Sequence, residues 1–289
     1  MQLGIVMTGY GALAAVNAGV MRALEERGLQ PYAVCGLHAG AWPAALYLAG
    51  HDAGEMTLAA AQAARMGGRM LRPGRAKAML CGKREALCGG QRLEHLLLAQ
   101  AGAKTMALCA RRGMTICRIA HTGRRVIFST RDCAGDSGAA VCMQASVSFA
   151  ARAAMSFPPF LAPQRWMGME LVADGDTAFA SRMLMAMGAQ RVLVVEPAVS
   201  LRRHMDALDL SCAAAETGGE KNLPEHALPL RIALDERFGA LNIAQAVQIA
   251  QAGYDSAQRS LDCVLAAFGM AQCRVLPFRG PAANALHGC

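Results

Sequence analysis

A short stretch near the start of the chain limits the folds open to it. Residues 36–40 read Gly-Leu-His-Ala-Gly, directly after the apolar run 32–35 and directly before small and apolar residues. This order predicts a strand, a sharp turn and a helix. A strand at 3–8 and a helix at 12–28 precede it, so the chain opens as β-turn-α-β-turn-α. Such an order is typical of a parallel sheet with helices on its faces, and the predicted class is therefore α/β.

The remaining elements follow from short apolar runs and helical periodicity. The predicted strands lie at 125–130, 169–176 and 191–197, and the predicted helices at 178–188 and 240–269. The segment 157–163 carries three prolines, which cannot donate ladder hydrogen bonds, so it predicts irregular structure. We predict a single domain over 1–289, with 51–124 as a basic helical insertion or a lid and 200–289 as a mainly helical C-terminal part.

Composition excludes several classes of protein. With 54% hydrophobic and 17% charged residues, the chain is expected to be globular rather than disordered. Eleven cysteines without a signal peptide favour a reducing compartment, and they are not clustered with histidines as metal ligands would be. No apolar stretch is long enough to cross a bilayer. We therefore expect an unprocessed cytoplasmic protein with no metal and no other cofactor.

The basic residues are concentrated in one segment. Between Arg65 and Arg125, fourteen lysines and arginines stand beside only two acidic residues, Glu85 and Glu94. Such a segment attracts nucleic acid or an anionic membrane. However, it contains no aromatic residue on which bases could stack. The sequence therefore favours a solvated helical face or a peripheral membrane contact through 65–125, and no nucleic-acid partner.

Five motifs follow one another along the chain. They are a glycine-rich turn, GYGALA, at 9–14; the turn at 36–40; a proline segment, AAMSFPPFLAP, at 153–163; an Asp-Gly motif, DGD, at 174–176; and a strand, GAQRVLVV, at 188–195. In this order they resemble the patatin-like phospholipase family, whose members are lipid acyl hydrolases with a Ser–Asp dyad. The likeness covers 1–50 and 125–200 well and is weak over 51–124.

This resemblance implies a three-layer α/β/α sandwich with a mainly parallel central sheet, and a lipid or acyl-ester ligand. A strand-to-helix elbow would place the nucleophile at a helix N-terminus, where developing negative charge is stabilised. The residues that the resemblance assigns to the site are His38 at the nucleophile position, Asp174 as the base, Gly9, Tyr10 and Gly11 as the oxyanion hole, and Gly36 and Gly40 as the elbow glycines.

The departures from the family pattern cluster at this predicted site. His38 replaces the serine, Tyr10 the central glycine of the turn, Leu13 the arginine of that turn, and Ala154 the serine of the proline segment. The side chain of Tyr10 disfavours positive φ and would crowd the cavity. Asp176 adds a second carboxylate beside Asp174, which would raise one of the two pKa values or recruit a cation.

An imidazole is longer than a hydroxyl and planar, so it does not simply replace one. Because the scaffold motifs are kept while the reactive groups differ, we predict a degenerate dyad with hydrolysis reduced or lost. Two alternatives stay open. In the first, His38 with Asp174 attacks the ester or activates water, which makes a working hydrolase. In the second, the chain is a scaffold that holds an acyl chain or a partner in the pocket.

Overall fold

The computed structural model describes residues 1–67, 86–133, 138–199 and 222–269. The strands of this part are β1 (Leu3–Met7), β2 (Ala33–Gly36), β3 (Arg112–Ile119), β4 (Arg125–Ser129), β5 (Ala140–Cys142), β6 (Gln164–Trp166), β7 (Met169–Ala173), β8 (Arg191–Val199) and β9 (Ala227–Leu234). Its α-helices are α1 (Val16–Glu25), α2 (Ala41–Ala49), α3 (Ala53–Met66), α4 (Gln91–Ala101), α5 (Val147–Ala154), α6 (Thr177–Ala186) and α7 (Ala246–Ala267). Short 3₁₀ turns at Gly11–Ala15 and His38–Gly40 precede α1 and α2.

The strands form one mixed sheet in the order β5-β4-β3-β2-β1-β8-β9. The five strands from β3 to β9 in this order are all parallel to their neighbours. Alternate residues of β1 enter different cores: Ile5 and Met7 pack in the cluster that includes α1, α2 and α7, whereas Val6 packs with α6. Helices therefore cover both faces of the sheet. The predicted three-layer α/β/α sandwich with a mainly parallel sheet is confirmed.

One edge of β3 is shared by two strands that run toward each other. Its first half pairs in parallel with β2, up to Gly36 opposite Thr115. Its second half pairs in antiparallel fashion with β7, which ends with Ala173 opposite Cys117. β4 occupies the other edge of β3, so β2 and β7 share one edge. Their ends pair with Thr115 and Cys117, two residues apart on β3, which is about 7 Å. The segments that follow these two strands are therefore delivered to the same place.

The structure corrects several predicted segments. β3 lies inside 51–124 and is a central strand, so this stretch is not wholly a helical insertion; its side chains are buried on both faces, which hides the alternation typical of strands. β9 also lies inside 200–289, where the longer element of the described residues is the helix α7. The single domain stays a prediction, and 68–85 of the basic segment lies outside the described residues. No helix in the described ranges is long and apolar enough to cross a bilayer.

Candidate functional site

The turn between β2 and α2 carries His38 in a strained conformation. Its backbone φ is +49°, in the left-handed region, which costs a non-glycine residue about 1–2 kcal/mol. The turn is also tightly packed. A Cβ on Gly40 would collide with the carbonyl of Met7, and one on Gly36 would lie 2.5 Å from Cα of Ala41. Both predicted elbow glycines are therefore needed for close backbone approach.

The His38 side chain lies among aromatic rings and is only 8% exposed. A hydrogen bond of 3.3 Å joins its Nε2 to the hydroxyl of Tyr10. The ring centroids of Tyr10 and Phe157 lie 4.5 and 5.8 Å from that of His38. Burial lowers the pKa of His38 to about 4, although the charge of Asp174 acts in the opposite direction. The imidazole is therefore neutral at neutral pH.

The glycine-rich turn packs directly against this elbow. Gly9 and Gly11 have φ values of +126° and +49°, whereas Tyr10 between them is extended, with φ −115°. Tyr10 thus avoids the positive φ that its side chain disfavours, because the flanking glycines adopt it instead. The N–H of Ala39, which follows His38, donates to the carbonyl of Gly9 at 3.0 Å. This hydrogen bond ties the elbow to the turn that the resemblance assigns to the oxyanion hole.

Asp174 follows β7 and is buried, with 1% of the residue exposed. Two arginines of the β3–β4 hairpin bond to its carboxylate. Arg118 donates through Nη2 to Oδ1 at 3.1 Å and its Nε lies 2.9 Å from Oδ2, while Arg125 Nε donates to Oδ2 at 2.7 Å. Burial acts to raise the pKa of Asp174, but the hydrogen bonds from both arginines outweigh it and the pKa is lowered. The carboxylate is therefore ionised, and both its oxygens have partners.

His38 and Asp174 are neighbours that do not bond to each other. A Cβ on Gly175 would lie 2.5 Å from Nε2 of His38, so the Asp-Gly segment touches the elbow. Nδ1 of His38 has no hydrogen-bond partner in the part of the chain that the structure describes, and Nε2 bonds to Tyr10. The structure thus brings together the two residues singled out from the sequence, and gives each a different partner.

A family model matches the part of the chain that carries this site. The model of the family described as patatin-like phospholipase matches residues 5–180, which is more than half of the chain and includes both the elbow and the Asp-Gly segment. The chain belongs to the patatin-like phospholipase family. No curated protein sequence matches it as a relative.

The chain is similar to several solved structures at low sequence identity. VipD from Legionella pneumophila has a TM-score of 0.50 and 12% identity, over 91% of this chain and 67% of its own. The type III effector ExoU of Pseudomonas aeruginosa has a TM-score of 0.44 and 15% identity, over 91% of this chain and 53% of its own. Human GIVD cytosolic phospholipase A2 has a TM-score of 0.42 and 12% identity, over 93% and 59%. The patatin-like chain thus spans between about half and two thirds of these proteins.

A second carboxylate stands beside Asp174 in this patatin-like site. Arg125 Nη2 donates to Asp176 Oδ2 at 2.6 Å, and Asp176 Oδ1 caps α6 by accepting from the N–H of Phe179 at 2.8 Å. The pKa of Asp174 is lowered rather than raised, because Arg118 and Arg125 both bond to its carboxylate. Arg125 bridges the two carboxylates, so a cationic side chain compensates their charge. The ionic groups therefore compensate one another within the protein.

A cavity of about 240 Å³ opens beside the patatin-like elbow. Its apolar walls include Trp42, Phe157, Phe160, Leu161, Leu241 and Ile243. Tyr10 and His38 also line it, whereas Asp174 and its two arginines do not. The cavity is therefore lined by the uncharged side chains of the site and not by its ionic cluster.

Sequence reasoning missed the two arginines that hold Asp174. It counted Arg118 and Arg125 only as members of the basic segment 65–125. The two residues pair directly across the β3–β4 hairpin, and this register becomes visible only once 112–119 is known to be a strand. The signal that could have found them was therefore a strand assignment rather than a motif.

Proposed function

We propose that this patatin-like chain binds a lipid acyl group in the cavity beside His38 and hydrolyses esters weakly or not at all. The observation that carries the proposal is that His38 and Asp174 bond to different partners. Nucleophilic acyl transfer needs a nucleophile and a base within hydrogen-bond reach of each other. Here the imidazole is hydrogen-bonded to Tyr10, and the carboxylate is hydrogen-bonded to two arginines.

Two further features support the same proposal. Tyr10, in the turn that the resemblance assigns to the oxyanion hole, lines the cavity, and its ring lies 4.5 Å from the imidazole of His38, so it occupies space that a substrate carbonyl would need. The cavity walls are mainly apolar, as those of sites for acyl chains and other apolar ligands are. Loss of the reaction and retention of the ligand site are therefore compatible in one molecule.

The test is hydrolysis of a p-nitrophenyl ester by the purified wild type and the variants His38→Ala and His38→Ser. We expect wild-type turnover at the background rate and no further loss in His38→Ala. His121→Ala is the matched control, because exposed imidazoles such as that of His121 also hydrolyse activated esters. Mass spectrometry of an organic extract of the protein should detect a retained lipid.

The alternative is a working hydrolase that uses His38 and Asp174. The observation in its favour is that Gly175 packs against Nε2 of His38. In that case His38→Ala would abolish turnover while His121→Ala would not, and this result would overturn the proposal. Turnover gained in His38→Ser would show instead that only residue 38 blocks the reaction.

Membrane contact through 65–125 stays a separate prediction, as does a cytoplasmic location. Three of the described arginines in this segment, Arg111, Arg118 and Arg125, already bond to groups within the protein. Co-sedimentation with anionic and neutral liposomes would test the contact. Equal partition to both kinds of liposome would contradict it.

A further inference from the structure

We propose that the tip of the β6–β7 hairpin docks on a lipid membrane with anionic head groups, through Met167 and the cations beside it. The proposal concerns a surface outside the cavity and does not require that the cavity hold a lipid. It also differs from a contact made by the basic segment 65–125, because Met167 and Arg165 lie outside that segment.

The backbone at the tip of this hairpin is unfavourable for the residue that occupies it. Met167 and Gly168 form the two-residue turn between Trp166 and Met169, which pair across the hairpin. Their φ values are +48° and +77°. A hairpin turn with positive φ at both residues favours Asn-Gly, and methionine adopts this conformation only at a cost in stability. The local preference of the turn therefore does not explain Met167.

Packing within the protein does not explain Met167 either. Its neighbours Trp166 and Met169 pack against the main apolar core, and the Trp166 ring lies 5.5 Å from that of Phe128. Met167 itself is 80% exposed. A single exposed apolar residue is ordinary on a protein surface, but this one also destabilises its own turn. In the described ranges the other non-glycine residue with positive φ is His38, at the candidate site. Such strain is concentrated at functional positions.

The hairpin projects from the edge of the sheet that carries the elbow. β2 pairs with the first half of β3 and ends at Gly36, whereas β7 pairs with the second half, beyond this point. The N–H of Ala120 donates to the carbonyl of Glu170 at 2.8 Å, so the turns at 120–124 and 167–168 are neighbours. The two turns therefore form one protrusion beyond the carboxyl ends of the parallel strands.

This protrusion carries more positive than negative charge. Arg124 and Arg165 are both exposed, and Arg165 Nη2 lies 3.1 Å from Glu170 Oε1. Glu170 is the one acidic residue of 119–124 and 164–170, so two arginines stand beside one carboxylate. Arginines at a membrane surface keep their charge among anionic head groups, while an apolar side chain between them enters the acyl boundary.

The size of this surface favours a membrane over a protein partner. A stable protein interface of standard size buries about 800 Å² on each side, which one exposed methionine at the end of a hairpin does not supply. A fluid bilayer takes up a protruding tip without a complementary shape. The protrusion also continues into the cavity wall, because β6 begins at Gln164, three residues after the lining residue Leu161. Docking at Met167 would therefore hold this wall near the membrane.

Co-sedimentation of the full chain tests the proposal with two kinds of vesicle, phosphatidylcholine alone and an equimolar mixture with phosphatidylserine. We expect the wild type to bind the mixed vesicles more tightly. Met167→Asn should weaken binding to both about tenfold, because the inserted apolar side chain is lost. The same variant should unfold at an unchanged or higher temperature, because Asn-Gly suits the turn. A purely structural role for Met167 would instead lower stability and leave vesicle binding unchanged.

Two matched controls separate the tip from the remainder of the surface. Leu108→Asn replaces an apolar residue that is 68% exposed just before β3 begins, at the opposite edge of the sheet, and should not change binding. Arg124→Gln should weaken binding to the mixed vesicles about fivefold and leave binding to phosphatidylcholine unchanged. Arg259→Gln removes an exposed charge from α7 and should change neither.

Three outcomes would overturn the proposal and leave the proposed acyl cavity standing. The first is a wild type that binds neither kind of vesicle. The second is an equal loss of binding in Met167→Asn and Leu108→Asn. The third is a wild type that binds no vesicle but forms a dimer in sedimentation, which Met167→Asn dissociates; this result would assign the tip to a second copy of the chain. Absence of a retained lipid in the organic extract would contradict the cavity alone.

Discussion

The two halves of the candidate site touch, yet their side chains are held by different forces. The elbow half, His38 with Tyr10 and Phe157, is aromatic and uncharged. The loop half is ionic, because Asp174 is held by two arginines. Gly175 lies at the contact between them. The comparison shows that strand ends fix where two groups stand, whereas their side-chain neighbours decide whether the groups can act together.

The largest expected effect is a loss of stability in acid, and its absence would contradict the uncharged character of the elbow half. The pKa of His38 is about 4 in the folded protein, against 6.5 as its ordinary value. At pH values between 6.5 and 4, His38 is protonated in the unfolded chain but stays neutral in the folded protein. The free energy of unfolding therefore falls as pH falls from 6.5 to 4. At about 1.4 kcal/mol per pKa unit, the loss approaches roughly 3 kcal/mol. Urea denaturation at a series of pH values measures it.

His38→Ala and His38→Gln supply the control, because neither can show this component. The difference in stability between wild type and either variant should change by about 3 kcal/mol over the same pH range. An ion pair between His38 and Asp174 would give the opposite sign. It would raise the pKa of His38 above 6.5, so stability would increase as pH falls from that raised pKa to 6.5, and that result would favour the working dyad.

The next effect concerns the ionic half. Asp174→Asn removes the buried charge to which both arginines bond, although Arg125 keeps Asp176, and we expect a loss of about 2–3 kcal/mol in the free energy of unfolding. This is less than for a wholly buried pair, because the side chains of Arg118 and Arg125 are 39% and 25% exposed. Because the pKa of Asp174 is lowered, the stability that its ionised carboxylate contributes is lost only below pH 3.8, its ordinary pKa. This loss therefore falls outside the pH range in which His38 acts.

Asp262→Asn is the matched control for Asp174→Asn. Asp262 pairs with Arg27 at 3.2 Å, but its side chain is 60% exposed, so its loss should cost less than about 1 kcal/mol. If Asp174→Asn were no more destabilising than Asp262→Asn in chemical denaturation, the ionic half would not be a structural cluster.

A smaller effect tests the contact between the halves. Gly175→Ala would bring a methyl group within 2.5 Å of Nε2 of His38, and the packed ring would have to shift. We expect a cost of about 1–2 kcal/mol in the wild type and almost none in the His38→Ala background. Equal costs in both backgrounds would show that the two halves do not touch. Thermal or urea denaturation of the four proteins completes the cycle.

The sequence predicted where the site residues lie better than what they contact. The family resemblance of 36–40 and 174–176 implied that His38 and Asp174 share one site, and in the structure the ends of β2 and β7 deliver both segments to the same place along β3. The partners of Asp174 could not be foreseen, because they depend on the register of β3 and β4. β3 was missed because both its faces are buried, which removes the alternating pattern.

The same limit applied to Tyr10. The sequence indicated that a tyrosine in the glycine-rich turn would crowd the cavity, but it could not give the direction of the ring. That direction depends on the contact of Tyr10 with Phe157, whose position follows from the proline segment far along the chain. Long-range packing of this kind has no signature in local sequence.

The smallest expected effect tests the hydrogen bond between Tyr10 and His38 in the elbow half. Tyr10→Phe removes the hydroxyl that lies 3.3 Å from Nε2 of His38 and leaves the ring contact intact. Because this hydrogen bond is long, its loss should cost only about 0.5–1 kcal/mol in chemical denaturation. In the His38→Ala background the same substitution should cost less, since the hydrogen bond to the imidazole is already absent. An equal cost in both backgrounds would mean that the hydroxyl does not hold the imidazole, and burial alone would then keep His38 apart from Asp174.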